Sequence, residues 1–242
     1  MIQLENISKV FALPHERKRT LFHWLGSVMG KQYDYEPLNA LRNINLRVRD
    51  GEFLGVIGKN GSGKSTLLKV ISRIYPPTTG SVRVRGDIFP LLELGVGFQH
   101  EFSVKENVFL YGAMLGFTRK DLRRRLDSII AFAELERFID AKLGTLSSGM
   151  MLRLAFSIAI QSQATIFLVD EGLAVGDRQF WQKCEDEFMK FKQGGKTVVF
   201  VSHDLYAVQR FCSRVVILRE GRIERDGDPK EMVDYYIESQ EG

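Results

Sequence analysis

The chain has 242 residues, with 34 Lys and Arg against 30 Asp and Glu and a formal net charge of +4. That length allows one large domain or two lobes around a full core, and the near-even charge argues against a protein that holds nucleic acid chiefly through its phosphates. Hydrophobic residues make up 44%, which excludes disorder; no apolar run reaches the roughly 18 residues of a membrane span and no secretory leader is visible, so a soluble, cytoplasmic chain is the expectation.

In chain order, the segment "LPHERKRTLFHWLGSVMGKQYDYEPL", Leu13 to Leu38, comes first. Leu21, Leu25 and Val28 share a helical face flanked by Phe22 and Met29, and "HERKR" just upstream is basic, which predicts a short amphipathic helix. It either covers an exposed sheet edge or forms a gate, its basic residues meeting lipid phosphates and His23, Trp24, Tyr33 and Tyr35 stacking on sugar rings. Strand candidates then alternate with helical periods: "EFLGVIG" before "KSTLLKVISRIY", "MMLRLAFSIAIQSQ" before "TIFLVD", and "FWQKCEDEFMKFKQ" before "TVVFVS". This is the α/β pattern of a largely parallel sheet with helices on both faces, whose ligands bind at the carboxyl ends of strands. "RKDLRRRL" reads as a solvated basic helix face. Cys184 and Cys212 lack metal or disulfide spacing and read as buried small hydrophobes.

After the strand "EFLGVIG" stands "GKNGSGKST", Gly58 to Thr66. It fits the P-loop pattern at Gly58, Gly63, Lys64 and Ser65, with Lys59, Asn60, Gly61, Ser62 and Thr66 completing the cradle. Glycines let backbone N–H groups close around phosphate oxygens while the following helix aims its positive end at them. Lys64 is expected to reach the β- and γ-phosphates of ATP, and Ser65 to ligate Mg²⁺. "TIFLVDE" supplies the acidic partners: Asp170 for Mg²⁺ and Glu171 to polarise the attacking water.

"LSSGM", Leu146 to Met150, read alone only caps a helix through Ser147 or Ser148. Preceded by the P-loop and a mostly helical stretch, and followed by "TIFLVDE", it resembles the signature of ABC ATPases, which runs Leu-Ser-Gly-Gly-Gln; the chain departs from it at Ser148 and Met150. The resemblance covers nearly the whole chain and implies a P-loop NTPase fold. That fold has a RecA-like, mostly parallel core, an N-terminal antiparallel β-subdomain and an α-helical subdomain near residues 100–146, all within a single domain over 1–242. It also implies head-to-tail homodimers, in which Ser147, Ser148 and Gly149 of one chain face the γ-phosphate held by the other. "GLAVGD" matches the dimer-contact loop, with Asp177 its acidic residue, and "VFVSHD" brings His203 to the γ-phosphate. Phe11 sits where the family places an aromatic on adenine, although core packing is the other reading, and Tyr33 or Tyr35 are substitutes. The glutamine-loop role, with its Mg²⁺ contact, falls to Gln99 or to Glu93.

The wording of "LLELGVGFQHEFSVKENV", "SSGMMLRLAFSIAI" and "VSHDLYAVQRFC" is similar to the ATPase subunits of bacterial O-antigen, capsule and teichoic-acid exporters. That likeness implies ATP hydrolysis driving a lipid-linked polysaccharide through an integral membrane permease docked on the helical lobe. It implies a peripheral place on the cytoplasmic face of the inner membrane, no nucleic acid partner, and no carbohydrate-binding domain after the ATPase. Alternatives are another transporter's ATPase, for a small solute or a lipid, and a non-transport ABC ATPase in nucleic-acid or translation work.

Overall fold

The computed structural model describes residues 1–14, 35–92, 94–170 and 178–241. β1 (Ile2–Pro14) and β2 (Tyr35–Val48) pair antiparallel, and β3 (Phe53–Ile57) turns into α1 (Lys64–Ile71). β4 (Thr79–Val84) returns to β1, giving an antiparallel sheet of order β2-β1-β4. β5 (Ile88–Leu91) precedes a helical lobe built on α2 (Val104–Met114), α3 (Arg119–Ala133) and α4 (Ser148–Ala159). The remaining elements are β6 (Ile166–Asp170), α5 (Arg178–Gln193), β7 (Thr197–Val201), α6 (Leu205–Phe211), β8 (Arg214–Arg219), β9 (Arg222–Gly227) and α7 (Pro229–Glu241). They complete a six-stranded sheet of order β5-β6-β7-β3-β8-β9, parallel except at β9.

The parallel strands β3, β6, β7 and β8 are buried on both faces, which is why they read as unbroken apolar runs instead of alternating ones. β3 shows the division. Phe53 and Ile57 join a phenylalanine-rich cluster with Phe156, Phe180, Phe188 and Phe211, whereas Leu54 and Val56 join Ile2 and Leu46 of the antiparallel sheet and Leu67 of α1. Arg214 fastens the two sheets. Its Nε and Nη2 donate to Asp226 at 2.6 Å each, and its Nη1 to Arg47 O at 2.9 Å and Glu52 Oε1 at 3.0 Å. Those partners, Asp226 foremost, raise its pKa well above the ordinary value.

A third cluster, with Val108, Leu122, Ile130 and Leu143, fills the helical lobe. α2 starts on a capping box, in which Glu106 N–H donates to Ser103 Oγ and Ser103 N–H to Glu106 Oε2. α3 turns Leu122, Ile129, Ile130 and Ala133 inward and leaves Arg119, Lys120, Arg123 and Arg124 exposed, as a solvated basic face should. α4 gives Leu154, Ala155 and Ile158 to the lobe cluster and Phe156 and Ala159 to the sheet cluster, so one helix belongs to both.

β1 and β2 stay paired out to Pro14 and Tyr35, so both ends of the Leu13–Leu38 segment are strand. The amphipathic stretch with Leu21, Leu25 and Val28 lies outside the described residues. Among the described residues no helix is long and apolar enough to cross a membrane.

Candidate functional site

Gly58 to Thr66 carries the carboxyl end of β3 into α1. Gly58 has φ 154°, and a Cβ there would lie 2.2 Å from Leu218 O; Gly63 has φ 107°, and its Cβ would lie 2.5 Å from Ala40 O. A side chain at either place would drive the loop off its seat. Gly63 also starts α1 without a side-chain cap, so the helix presents its first-turn N–H groups and positive dipole end to an anion. Lys64 is 5% exposed, and its Nζ donates to Gly58 O at 2.8 Å and Lys59 O at 3.1 Å. The ammonium therefore already spans the loop where phosphate charge would be met. Ser62 Oγ is buried and finds no hydrogen-bond partner among the described residues. Lys59, Asn60, Gly61 and Ser65 are exposed and Thr66 is half-buried.

Strand register brings the acidic end of β6 to the same edge. Asp170 pairs with Val201 of β7, and Val201 pairs with Val56 of β3. With neighbouring strands 4.7–4.9 Å apart, Asp170 stands about 10 Å from Val56 across the sheet. Gly58 and His203 each lie two residues beyond that line, so loop, carboxylate and imidazole share the carboxyl edge. His203 is exposed at a strand-to-helix turn; Asp204 beside it caps α6, accepting from Ala207 N–H at 3.0 Å, and its own N–H donates to Ser202 Oγ at 3.0 Å. Glu171, Asp177, Glu93 and Tyr33 lie outside the described residues, and Tyr35 is described only as a strand residue.

Gln99 follows the carboxyl end of β5, the strand next to β6. Its side chain is exposed, and its Nε2 makes only a long 3.5 Å contact to Gly97 O. Its backbone is fixed by Asn107, which is 0% exposed. Asn107 Oδ1 accepts from Gln99 N–H at 2.8 Å, while Nδ2 donates to Gln99 O at 2.9 Å, Ser103 O at 3.0 Å and Phe102 O at 3.3 Å. Sequence reasoning gave Asn107 no role. The available signal was an amide inside the apolar run "NVFLYGAM", where a buried polar group demands partners.

The bland reading of "LSSGM" is realised. Ser147 is the N-cap of α4, its Oγ accepting from Met150 N–H at 3.3 Å. Ser148 is the first helical residue, a conformation serine adopts without strain, so its replacement of glycine costs no local geometry. Gly149 tells more. It is helical without a positive φ, and a Cβ would meet nothing nearer than Ser147 Oγ at 3.9 Å. Glycine within a helix costs up to about 1 kcal/mol relative to alanine, and nothing among the described residues requires it here. It leaves bare backbone open to close approach from outside.

Phe11 belongs to none of the three core clusters among the described residues. Its half-exposed ring meets Tyr75 edge-to-face at 5.4 Å, with Lys9 Nζ 5.1 Å from its centroid. Phe11 pairs with Leu38 of β2. Three residues along β2, Leu41 Cδ2 lies 3.0 Å from where a Gly63 Cβ would be, so this strand pair runs from the P-loop towards Phe11.

The sequence profile described as ABC transporter matches residues 41–174. The chain is 46% identical over 224 residues to the O-antigen export system ATP-binding protein RfbB of Myxococcus xanthus, covering 92% of this chain and 51% of that one. It is 37% identical over 243 residues to RfbB of Klebsiella pneumoniae, covering 98% and 97%. It is 39% identical over 237 residues to the teichoic acids export ATP-binding protein TagH of Lactococcus lactis, covering 97% and 50%. The chain thus spans about half the length of two of these relatives and nearly all of the third. A dimeric ATP-binding cassette solved in a post-hydrolysis state with ADP and Pi superposes with a TM-score of 0.73 at 27% identity, covering 95% of this chain and 99% of that one. With a profile match over more than half of its length and relatives 37–46% identical, the chain belongs to the ABC transporter family, of which it forms an ATPase domain.

Proposed function

We propose that the chain is the ATP-hydrolysing subunit of an exporter of a lipid-linked surface polysaccharide, acting as a homodimer under a separate membrane permease at the cytoplasmic face of the inner membrane. The observation that carries this reading is the similarity to the Klebsiella pneumoniae O-antigen export protein over 98% of this chain and 97% of that one. Exposed apolar side chains on the helical lobe, Val96, Phe102, Met114 and Phe138, support a docking surface for the permease there.

ATP would lie along the carboxyl edge of the sheet, its phosphates against the N-terminus of α1 and Lys64, its base towards Phe11. The Lys64 ammonium, seated on two carbonyls, turns to the β- and γ-phosphate oxygens. The oxygen donors Ser65, Asp170 and Gln99 fit Mg²⁺, which prefers hydroxyl and carboxylate ligands to nitrogen or sulfur. That ion, when bound, neutralises charge on the phosphates. Glu171, next after Asp170, takes the proton of the attacking water, and His203 holds the γ-phosphate region. The partner's Ser147 hydroxyl and the bare start of its α4 at Gly149 close the other side, with Asp177 contacting across the dimer. Binding energy for the second nucleotide face thus comes only from the second chain, which couples closure to ATP.

Lys64→Ala tests the reading in the cell of origin. The polysaccharide should disappear from the surface while lipid-linked polymer accumulates inside. Undiminished surface display, with ATP hydrolysis by the purified variant abolished, would refute export while leaving the ATPase assignment intact.

A further inference from the structure

The P-loop is braced from a side the mechanism above does not use. Between β8 and β9, the turn Glu220–Gly221 lies directly against it. Gly221 N–H donates to Ser62 O at 3.0 Å, and Gly221 O accepts from Arg42 N–H at 2.7 Å. Gly221 has φ 76°, and a Cβ there would fall 2.8 Å from Ala40 O, the same carbonyl that hems Gly63. Leu218 O, near the end of β8, is the atom that hems Gly58. Thus Gly58 and Ser62 take their places from the β8–β9 hairpin, and Gly63 shares a wall with it.

The hairpin is held in turn by α7, which Met232 and Val233 seat in the core. Arg219 Nη2 donates to Ser239 Oγ at 3.2 Å, and Ser239 Oγ donates to Tyr236 O at 2.9 Å. Arg219 Nε stands 3.0 Å from Glu224 Oε2, an ion pair by distance although that oxygen accepts no well-aimed hydrogen bond. Tyr235 Oη donates to Glu224 Oε1 at 3.2 Å. Across a cavity of about 320 Å³, Tyr236, Ser239 and Gln240 of α7 face Lys59, Asn60 and Gly61 of the P-loop.

We propose that Arg219 is a positioning residue for the nucleotide: by tying α7 to the β8–β9 turn it fixes Gly221 beneath Ser62 and so sets the affinity for ATP without touching it. The inference rests on the ATP-hydrolysing reading of the loop. Arg219 is 46% exposed at its side chain, so its ion pair adds little to global stability. Its effect is local, on a loop whose donors must match phosphate oxygens closely. It also makes α7 a lever, since whatever displaces α7 loosens the P-loop.

The test uses the full chain and two readouts, steady-state ATP hydrolysis and direct binding of trinitrophenyl-ATP. Arg219→Ala should raise KM for ATP and Kd for the probe about fivefold, with kcat within about twofold and the melting temperature within about 3 °C. Arg219→Lys, which keeps a cation beside Glu224, should recover part of the loss, and adding Glu224→Ala to Arg219→Ala, which also removes the acceptor of Tyr235, should raise both constants further. If Arg219→Ala does not fold, Ser239→Ala, which removes one hydroxyl, should raise the same two constants about twofold. Unchanged KM and Kd in folded variants, with or without a lower melting temperature, would overturn the inference alone. Failure of the unaltered chain to bind the probe would overturn the reading of the loop as well.

Discussion

Replacing Asn107 with alanine should cost more stability than any other single polar substitution in the helical lobe. The side chain is fully buried and holds four backbone groups: it accepts from Gln99 N–H and donates to the carbonyls of Gln99, Ser103 and Phe102. Nδ2 has only two hydrogens, so three full hydrogen bonds is the fair count. At a net value near 1 kcal/mol each, their loss amounts to about 3 kcal/mol. Water can reach the loop at exposed Gln99 and Phe102, which limits the further penalty for orphaned groups. Asn107→Asp should be at least as harmful, since it keeps the acceptor for Gln99 N–H but aims an oxygen at three carbonyls.

Urea unfolding of the purified chain, compared at unchanged slope, measures this directly. Ser103→Ala is the internal standard: it removes the cap of the same helix and should cost about 1 kcal/mol. If Asn107→Ala proves no more destabilising than Ser103→Ala, the Gln99–Ser103 loop is held by something other than this amide.

The remaining predictions concern the signature and the cysteines. Ser147→Asp preserves a good N-cap and should leave stability within about 0.5 kcal/mol, yet it places a carboxylate towards the partner's γ-phosphate and should lower ATP hydrolysis by about 10²-fold or more. Mixed with Lys64→Ala chains under subunit exchange, it should regain activity through heterodimers that keep one intact site; a mixture as inactive as either parent would sink the head-to-tail arrangement. Burial pushes the thiols of Cys184 and Cys212 up to about 12 from an ordinary 9.0. Neither should react with iodoacetamide at pH 8 until the chain is unfolded, and rapid labelling of the native protein would contradict their placement. Above pH 9 the unfolded thiols ionise while the folded ones keep their protons, so stability falls as pH rises towards 12, by about 1.4 kcal/mol per unit per thiol.

The P-loop was legible in the sequence because its chemistry is local: glycines, a lysine and a hydroxyl at fixed spacing, after an apolar strand. The α/β order was legible for a similar reason, since each buried parallel strand declares itself as a short apolar run. Contacts made at long range were not. Nothing near Ser62 in sequence announces that Gly221 will donate to its carbonyl, and the buried amide of Asn107 shows that it needs partners without showing that they lie in the loop before its own helix. α4 misled in another way. Its apolar residues run nearly all round, and only packing shows that Leu154 and Phe156 serve different cores. Gln99 and Glu93 could not be separated by spacing because the position of that side chain depends on how the loop after β5 is tied down.

That double allegiance of α4 bears on how a nucleotide event at the sheet edge reaches the lobe. The helix begins at Ser147, runs through the lobe cluster and ends against the sheet cluster, so its start cannot shift without moving side chains in both. Glu134 adds a second joint. It closes α3 in a left-handed conformation, φ 59°, where glycine would sit with less strain, and its carboxylate pairs with Arg153 of α4 at 2.8 Å and with Lys183 of α5. α5 starts at residue 178, directly after the segment that carries Glu171 and Asp177. Three helices therefore meet at one carboxylate: one from the lobe, one that starts at Ser148, and one that follows the acidic strand end. Arg153 is 16% exposed and lies 5.2 Å over the Phe180 ring, whereas Glu134 and Lys183 are each 41% exposed, so the Arg153 pair is the less screened of the two. In the proposed head-to-tail dimer, a push on the start of α4 by a partner's phosphate would be shared between the lobe and the sheet edge through this joint.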